Sequence, residues 1–323
     1  MPQVALESAL SLPHEAQAPP PVESRPMAVS DDSDTSELLA RDLRALITAG
    51  SVAPALARTL ATLAERKAVA ASGLRGAAQA VFLAAVAAER PLLLVVQDQE
   101  RARRLVEDLD LLLPERPVLL NPSLGLFSSD PASGESGDGS LGARLRVLQA
   151  LREERAPVVV SGATALLQQL PGGARLERTM GAIAVGEELD PHEWAHRLVD
   201  HGYKRRTLVE APGEFALRGG VFDLYPLGAA APLRVDLFGD EVESLRSFDP
   251  ASQRSTGELT RYELPLLSTS DLRDLARADR ASLLDHLPAD ASVALFGPEQ
   301  VSERLRQTRL RFSSHSADLL HPE

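Results

Sequence analysis

Three short motifs in this sequence could do chemistry if the fold placed them correctly. "HEWAH", at 192–196, matches HExxH, in which two histidines on one helical face bind zinc and the glutamate acts as a base. "GDGSLG", at 137–142, matches the GxGxxG pattern of dinucleotide sites, and "GLRGAAQA", at 73–80, has the neighbourhood of a phosphate-binding loop. Each pattern works in one structural setting, so the neighbouring residues decide its meaning.

The surroundings of the first two motifs argue against catalysis. Asp190 and Pro191 are typical of the first turn of a short surface helix, which puts His192 in an exposed position, and no third ligand stands at a useful spacing. "GDGSLG" follows the loop-like "SSDPASGES" where a dinucleotide site needs a strand, so we interpret it as a disordered linker. We predict no metal site and no bound dinucleotide.

The third motif has the right setting but lacks the key side chains. A working phosphate loop combines glycines, here Gly73 and Gly76, with a lysine for the outer phosphates and a hydroxyl for magnesium. Gln79 and Ala80 stand in the places of the lysine and the hydroxyl. A neutral amide cannot replace the cation, and a methyl group cannot bind a metal. The sequence therefore predicts a degenerate nucleotide loop that binds no nucleotide.

A fourth stretch has the features of a binding surface. "GEFALRGGVFDLYP", at 213–226, concentrates aromatic residues in a chain that is 4% aromatic, and it places Arg218 directly before two glycines. A guanidinium beside rigid aromatic rings and open backbone is typical of an interface anchor. The alternative is a tight turn between strands in which Arg218 pairs with Glu214 or Asp223, a surface contact of little energetic weight.

The composition limits the classes of function. The chain has 323 residues, a net charge of -12 and no cysteine. The acidic balance argues against binding of nucleic acid by general attraction, and the lack of cysteine excludes disulfides and thiol chemistry. The sequence has no basic leader with an apolar core and no apolar run near the ~18 residues of a membrane span. We expect a soluble, cytoplasmic protein that makes no membrane contact.

The pattern of apolar runs predicts the fold. "PLLLVV", "PVLL" and "PVVVSG" read as buried strands between helical stretches, which indicates a parallel α/β sheet. Later segments show frequent turn signals, including a hairpin with Gly239 and Asp240 at its turn. We predict an α/β fold: a degenerate P-loop-type parallel-sheet domain with an inserted small α+β domain. The predicted regions are a disordered tail at 1–35, the α/β domain at 36–172, the α+β domain at 173–262, and a return to the α/β domain at 263–323.

The small domain also resembles a known family. "HGYKRRTLVEAPGEFALRGGVFDLYP" and "LRVDLFGDEVESLRSFDPASQRS", at 201–255, resemble the N-terminal UvrB-homology module of the bacterial transcription-repair coupling factor (Mfd). The GEFA, RGG, FGDE and QRS elements occur in order, and the resemblance extends over about 37–305. UvrB shares this plan, but it has a working nucleotide loop, an aromatic DNA-clamping hairpin and an acidic DESH-type motif. This chain has "GLRGAAQA", a Ser/Gly/Asp-rich stretch and "FGPEQ" (296–300) in their places, which favours the coupling-factor version.

The resemblance implies a non-catalytic module that docks on UvrA and brings nucleotide excision repair to stalled RNA polymerase. In the family, arginines near the "GY" and "RG" elements make this contact, and the matching positions are Arg205 and Arg218, with Arg206 and Phe222 beside them. RNA polymerase and DNA are expected to bind family regions absent from this chain, and no cofactor is implied.

Two other classes of function remain open at this stage. An active UvrB-like ATPase or helicase would need the missing lysine at Gln79 and an acidic pair near 296–300. A metallohydrolase or oxidoreductase would need bound zinc or NAD.

Overall fold

The computed structural model describes residues 53–65, 68–71, 74, 77–87, 90–124, 137–153 and 156–312. The predicted tail at 1–35 lies outside these ranges, as do Gly73 and Gly76. The helices are α1 (Ala53–Ala64), α2 (Ala77–Ala87), α3 (Gln99–Leu112), α4 (Gly137–Arg152), α5 (Ala163–Leu167), α6 (Gly173–Thr179), α7 (Pro191–Asp200), α8 (Thr269–Arg273) and α9 (Pro298–Phe312). The strands are β1 (Leu92–Val96), β2 (Val118–Asn121), β3 (Val158–Gly162), β4 (Leu170–Pro171), β5 (Met180–Ala184), β6 (Lys204–Arg205), β7 (Glu214–Arg218), β8 (Val221–Tyr225), β9 (Leu233–Phe238), β10 (Glu241–Phe248), β11 (Ser255–Leu259), β12 (Arg261–Pro265), β13 (Arg280–Ala281) and β14 (Ser292–Leu295).

A four-stranded parallel sheet forms the first layer of the fold. Its strand order is β14-β1-β3-β2, and every residue of β1 and β3 is buried. Such burial on both faces suits strands that consist almost entirely of leucine and valine. The α/β class and the parallel sheet predicted from the proline-bounded apolar runs are therefore correct.

A six-stranded sheet follows, with the order β11-β10-β9-β8-β7-β6. Its strands pair antiparallel except β6, which runs parallel to β7 at one edge. The predicted hairpin is present between β9 and β10, and Gly239 adopts a φ of 65° at its turn. A side chain with a β carbon is strained in this conformation, which explains the glycine.

The chain returns to the parallel sheet after the six-stranded sheet. β14 pairs in parallel with β1, so segments on both sides of the six-stranded sheet in sequence meet in one layer. One continuous hydrophobic cluster contains Leu93 and Val159 of the parallel sheet together with Phe215 and Phe222 of the other sheet. The two sheets thus share a core. Within the described residues, no helix combines the length and the apolar character that a membrane crossing requires.

The "GDGSLG" motif serves the packing of these two parts. Its residues form the first turns of α4, so the interpretation as a disordered linker is wrong. A β carbon on Gly142 would lie 2.9 Å from the backbone nitrogen of Gly228, and one on Gly228 would lie 2.5 Å from the carbonyl oxygen of Gly142. Helix α4 and the loop between β8 and β9 therefore meet backbone to backbone, and glycine is required on both sides.

We predict that Gly142→Ala lowers the free energy of unfolding by about 1 to 3 kcal/mol, because the added methyl group overpacks this junction. Gly228→Ala should cost more, since its φ of 87° adds backbone strain. Gly139→Ala is the matched control: its β carbon would meet nothing within 4 Å, and alanine favours helix. Urea unfolding of the three variants measures the differences, and equal stability of Gly139→Ala and Gly142→Ala would contradict the packing role.

Candidate partner-binding face

The six-stranded sheet has one apolar and one polar side, because successive side chains of a strand point to opposite faces. Phe215, Phe222 and Leu224 lie on the apolar side, in the cluster that also contains Trp194 and Leu198 of α7. The opposite side, here called the polar face, carries the charged side chains Glu214, Arg218, Asp223, Arg234, Asp236 and Arg246.

A buried carboxylate is the centre of the polar face. Asp223 is 0% exposed and accepts hydrogen bonds from Arg234 Nε at 2.7 Å and Arg234 Nη2 at 2.9 Å, one on each oxygen. Arg234 also donates Nη1–H to the carbonyl oxygen of Gln253 at 3.1 Å and stacks 4.6 Å from the ring centroid of Phe248. The hydrogen bonds to Asp223 raise the pKa of Arg234 above its ordinary value. This pair is charge-assisted, bidentate and fixed by packing.

Arg218 is a second guanidinium on the same carboxylate. Its Nη2 donates to Asp223 Oδ2 at 2.6 Å, yet 47% of its side chain remains exposed. Arg234 already engages both oxygens of Asp223, so Arg218 can turn away without leaving a buried carboxylate unpaired. The pairing with Asp223, which the sequence offered as the alternative to a binding role, is present and is compatible with that role.

Phe222 does not belong to the exposed part of this surface. It is 0% exposed and packs edge to face against Phe215, with ring centroids 6.4 Å apart at an interplanar angle of 71°. Strand alternation gives the reason: Phe222 points to the apolar side, and the neighbouring Asp223 points to the polar face. Phe222 was predicted to contact a partner directly, but the structure places it in the core beneath the sheet.

The other two predicted arginines, Arg205 and Arg206, point to opposite faces of the sheet. Lys204 pairs in register with Glu214, and Arg205 pairs with Phe215. Because residues paired in register share a face, Lys204 lies on the polar face and Arg205 on the apolar side, at the exposed edge of the sheet. Arg206 returns to the polar face, where its Nε donates to Glu214 Oε1 at 3.0 Å.

Glu214 fixes the loop that follows β6. Its Oε2 accepts the backbone N–H groups of Glu210 and Ala211 at 3.0 and 3.1 Å. Burial alone would raise the pKa of Glu214, but the hydrogen bonds from Glu210, Arg206 and Ala211 lower it below its ordinary value. The carboxylate is therefore charged at neutral pH and holds Arg206 beside the polar face.

In the segment predicted to be a degenerate nucleotide loop, Gln79 makes hydrogen bonds within the protein. Gln79 Nε2 donates to the carbonyl oxygen of Leu74 at 2.7 Å, and Arg101 Nη2 donates to Gln79 Oε1 at 3.0 Å. Arg101 also lies 4.7 Å from the ring centroid of Phe296, and Ala80 is buried. A cleft of about 1100 Å³ beside Gln79 is lined mainly by apolar residues, including Leu63, Val69, Phe82, Leu83, Val293 and Leu295. Both ends of the Gln79 amide are engaged within the protein.

The helix that contains "HEWAH", α7, packs on the hydrophobic core through Trp194 and Leu198. Asp190 accepts the backbone N–H groups of His192 and Glu193 at 2.8 and 3.2 Å, and Trp194 points into the core. The backbone hydrogen bonds from Glu193 and His192 lower the pKa of Asp190. No group of three or more potential metal ligands occurs within the described part of the chain.

Comparison with a family model locates the polar face in a known domain type. Residues 182–266 match the model described as the UvrB interaction domain. This range contains all strands from β6 to β11 and thus the whole six-stranded sheet.

The similar full-length proteins are transcription-repair-coupling factors. The protein from Bacillus subtilis (strain 168) is 39% identical over 195 residues, which are 60% of this chain and 16% of that protein. The protein from Myxococcus xanthus is 32% identical over 229 residues, 67% of this chain and 19% of that protein. The protein from Staphylococcus aureus (strain bovine RF122 / ET3-1) is 27% identical over 199 residues, 61% of this chain and 17% of that protein. The matches cover less than a fifth of these relatives, and they confirm the family resemblance indicated by the sequence motifs.

We predict that Asp223→Ala lowers the free energy of unfolding by about 3 kcal/mol, because it leaves the largely buried guanidinium of Arg234 without its counter-ion. Arg218→Ala should change it by less than about 1 kcal/mol, since that side chain is half exposed and Arg234 still satisfies Asp223. Denaturant titration of both variants tests the difference. A larger loss for Arg218→Ala than for Asp223→Ala would show that the roles of the two arginines are reversed.

Proposed function

We propose that this chain, which is similar to the N-terminal UvrB-homology module of transcription-repair coupling factors, docks on UvrA through its polar face and serves nucleotide excision repair. The observation that carries the proposal is Arg218, a half-exposed guanidinium on a buried carboxylate that Arg234 already satisfies. The match of residues 182–266 to the UvrB interaction domain supports the choice of this sheet.

Arg218 suits an exchange of partners. In the free protein it shares Asp223 with Arg234, so the site carries two cations on one anion. An acidic side chain of UvrA would give Arg218 a carboxylate of its own and balance the charge. A desolvated, hydrogen-bonded ion pair of this kind contributes specificity and slows dissociation.

The neighbouring residues have graded roles in this proposal. Lys204 and Arg206 lie on the polar face near Glu214, at the other end of β7 from Arg218, and add positive charge at the edge of the sheet. Arg205 lies at the edge on the other side and serves as a rim contact. Phe222 and Phe215 pack beneath the strands that carry Arg218 and Asp223, and they keep the polar face in place.

We further propose that the chain is not an enzyme. Gln79 stands at the position of the phosphate-binding lysine, and its amide is engaged by Leu74 and Arg101. Ala80 offers no oxygen for a metal. These contacts disfavour the alternative of an active UvrB-like ATPase. We assign DNA translocation and contact with RNA polymerase to family regions other than the one that this chain matches.

We predict that Arg218→Ala weakens the complex with purified UvrA by about 2 to 5 kcal/mol, mostly through faster dissociation, and leaves the melting temperature nearly unchanged. Arg205→Ala should weaken it less, because that residue lies at the rim. Surface plasmon resonance and thermal unfolding measure the two quantities.

The matched control is Arg261→Ala. Arg261 is 50% exposed and paired with Glu187 and Glu263, but it lies on β12, outside the six-stranded sheet. Its replacement should leave the affinity for UvrA unchanged. An Arg218→Ala variant that binds as tightly as the native chain would refute the docking role.

We predict that magnesium and ATP neither raise the melting temperature nor are turned over, because the cation for the outer phosphates and the metal ligand are missing. A thermal shift assay and a phosphate-release assay test this. Turnover that disappears on Gln79→Ala would establish a working nucleotide site and refute the prediction.

A further inference from the structure

An unusually exposed aromatic side chain lies at the end of β9. Phe238 is 79% exposed, more than any other large hydrophobic side chain of the described residues. Phe215, Phe222 and Phe248 of the same domain are 0% exposed. Phe238 stands directly before the predicted hairpin turn at Gly239 and Asp240, and no motif in the sequence assigns it a role.

Phe238 lies on the polar face, at the same end of the sheet as Arg218. Arg218 pairs in register with Val221, and Val221 pairs with Asp236. Phe238 is two residues beyond Asp236 on β9, so it shares their face. From the usual strand spacing and rise per residue, its Cα lies roughly 12 Å from that of Arg218.

Backbone hydrogen bonds hold the β9–β10 turn beside Phe238 on both sides. The backbone N–H of Leu237 donates to the carbonyl oxygen of Gly220 at 2.7 Å, in the turn directly after Arg218. On the other side, the N–H of Leu189 donates to the carbonyl oxygen of Asp240 at 2.6 Å. An exposed aromatic ring on backbone that is already ordered loses little further freedom when it becomes buried in a partner.

We infer that Phe238 is a second anchor for the partner that Arg218 binds, an inference that rests on the proposed docking on UvrA. The partner presents an acidic side chain to Arg218 and, about 12 Å away, an apolar pocket to Phe238. Asp240 and Glu241 flank Phe238 and are exposed, so the rim of that pocket is neutral or basic. The two anchors recognise different chemical groups of the partner, and together they fix the orientation of the complex.

The test measures affinity of the full chain for purified UvrA. Phe238→Ala should bind about 10- to 100-fold more weakly, the loss expected when burial of a phenylalanine ring is removed. Phe238→Leu should retain part of the affinity. The melting temperature should not change, because the ring is 79% exposed. Val199→Ala is the control, since Val199 is 54% exposed but lies on α7, which packs on the apolar side of the sheet.

The outcomes separate this inference from the proposed function. If Arg218→Ala weakens binding and Phe238→Ala does not, docking stands and the second anchor is refuted. If the native chain does not bind UvrA, the docking function fails, and the inference fails with it. A change of self-association on Phe238→Ala, measured by analytical ultracentrifugation, with unchanged affinity for UvrA would also refute the inference, because the ring would then serve contact between copies of this chain.

Discussion

The buried carboxylate of Asp223 is the constraint on which the polar face depends. An ionised group that is removed from water must be paired and hydrogen-bonded, or its desolvation outweighs the gain of folding. Arg234 meets this requirement on both oxygens and is itself held by the carbonyl oxygen of Gln253 and the ring of Phe248. The central strands and the loop before β11 are thereby tied together, and Arg218 is left as an additional cation.

The parallel-sheet part of the chain packs against the six-stranded sheet and supports this face. One hydrophobic cluster joins the parallel sheet to the six-stranded sheet, and Gly142 and Gly228 bring their backbones into contact. Such support needs the strands and helices around the parallel sheet and no nucleotide chemistry. This explains why the parallel sheet is fully formed around β1 while the amide of Gln79 serves contacts inside the protein.

The parts of the fold that local pattern determines were predictable from the sequence. The proline-bounded runs of leucine and valine gave the parallel strands, and Asp190 with Pro191 gave the start of α7. The helical conformation of "GDGSLG" was not predictable, because glycine and serine have low helix propensity. Contact with Gly228 explains the glycine at 142, but not the one at 139, whose β carbon would meet nothing within 4 Å. The sequence also did not predict which face of the sheet each side chain occupies. Whether Phe222 or Phe238 reaches solvent, and whether Lys204 or Arg205 joins Arg218, depends on strand register, which sequence spacing alone does not fix.

The charge distribution is compatible with the proposed binding of an acidic partner at this face. The chain as a whole carries a charge of -12, which repels an acidic partner from most of its surface. Two guanidiniums on Asp223 make a local exception, which would favour this face over the rest of the surface for the acidic partner proposed above. In the proposed complex, Arg218 would exchange one carboxylate for another. Because Asp223 would keep Arg234 in that exchange, the proposed docking would leave no unpaired buried charge and would require no change of fold.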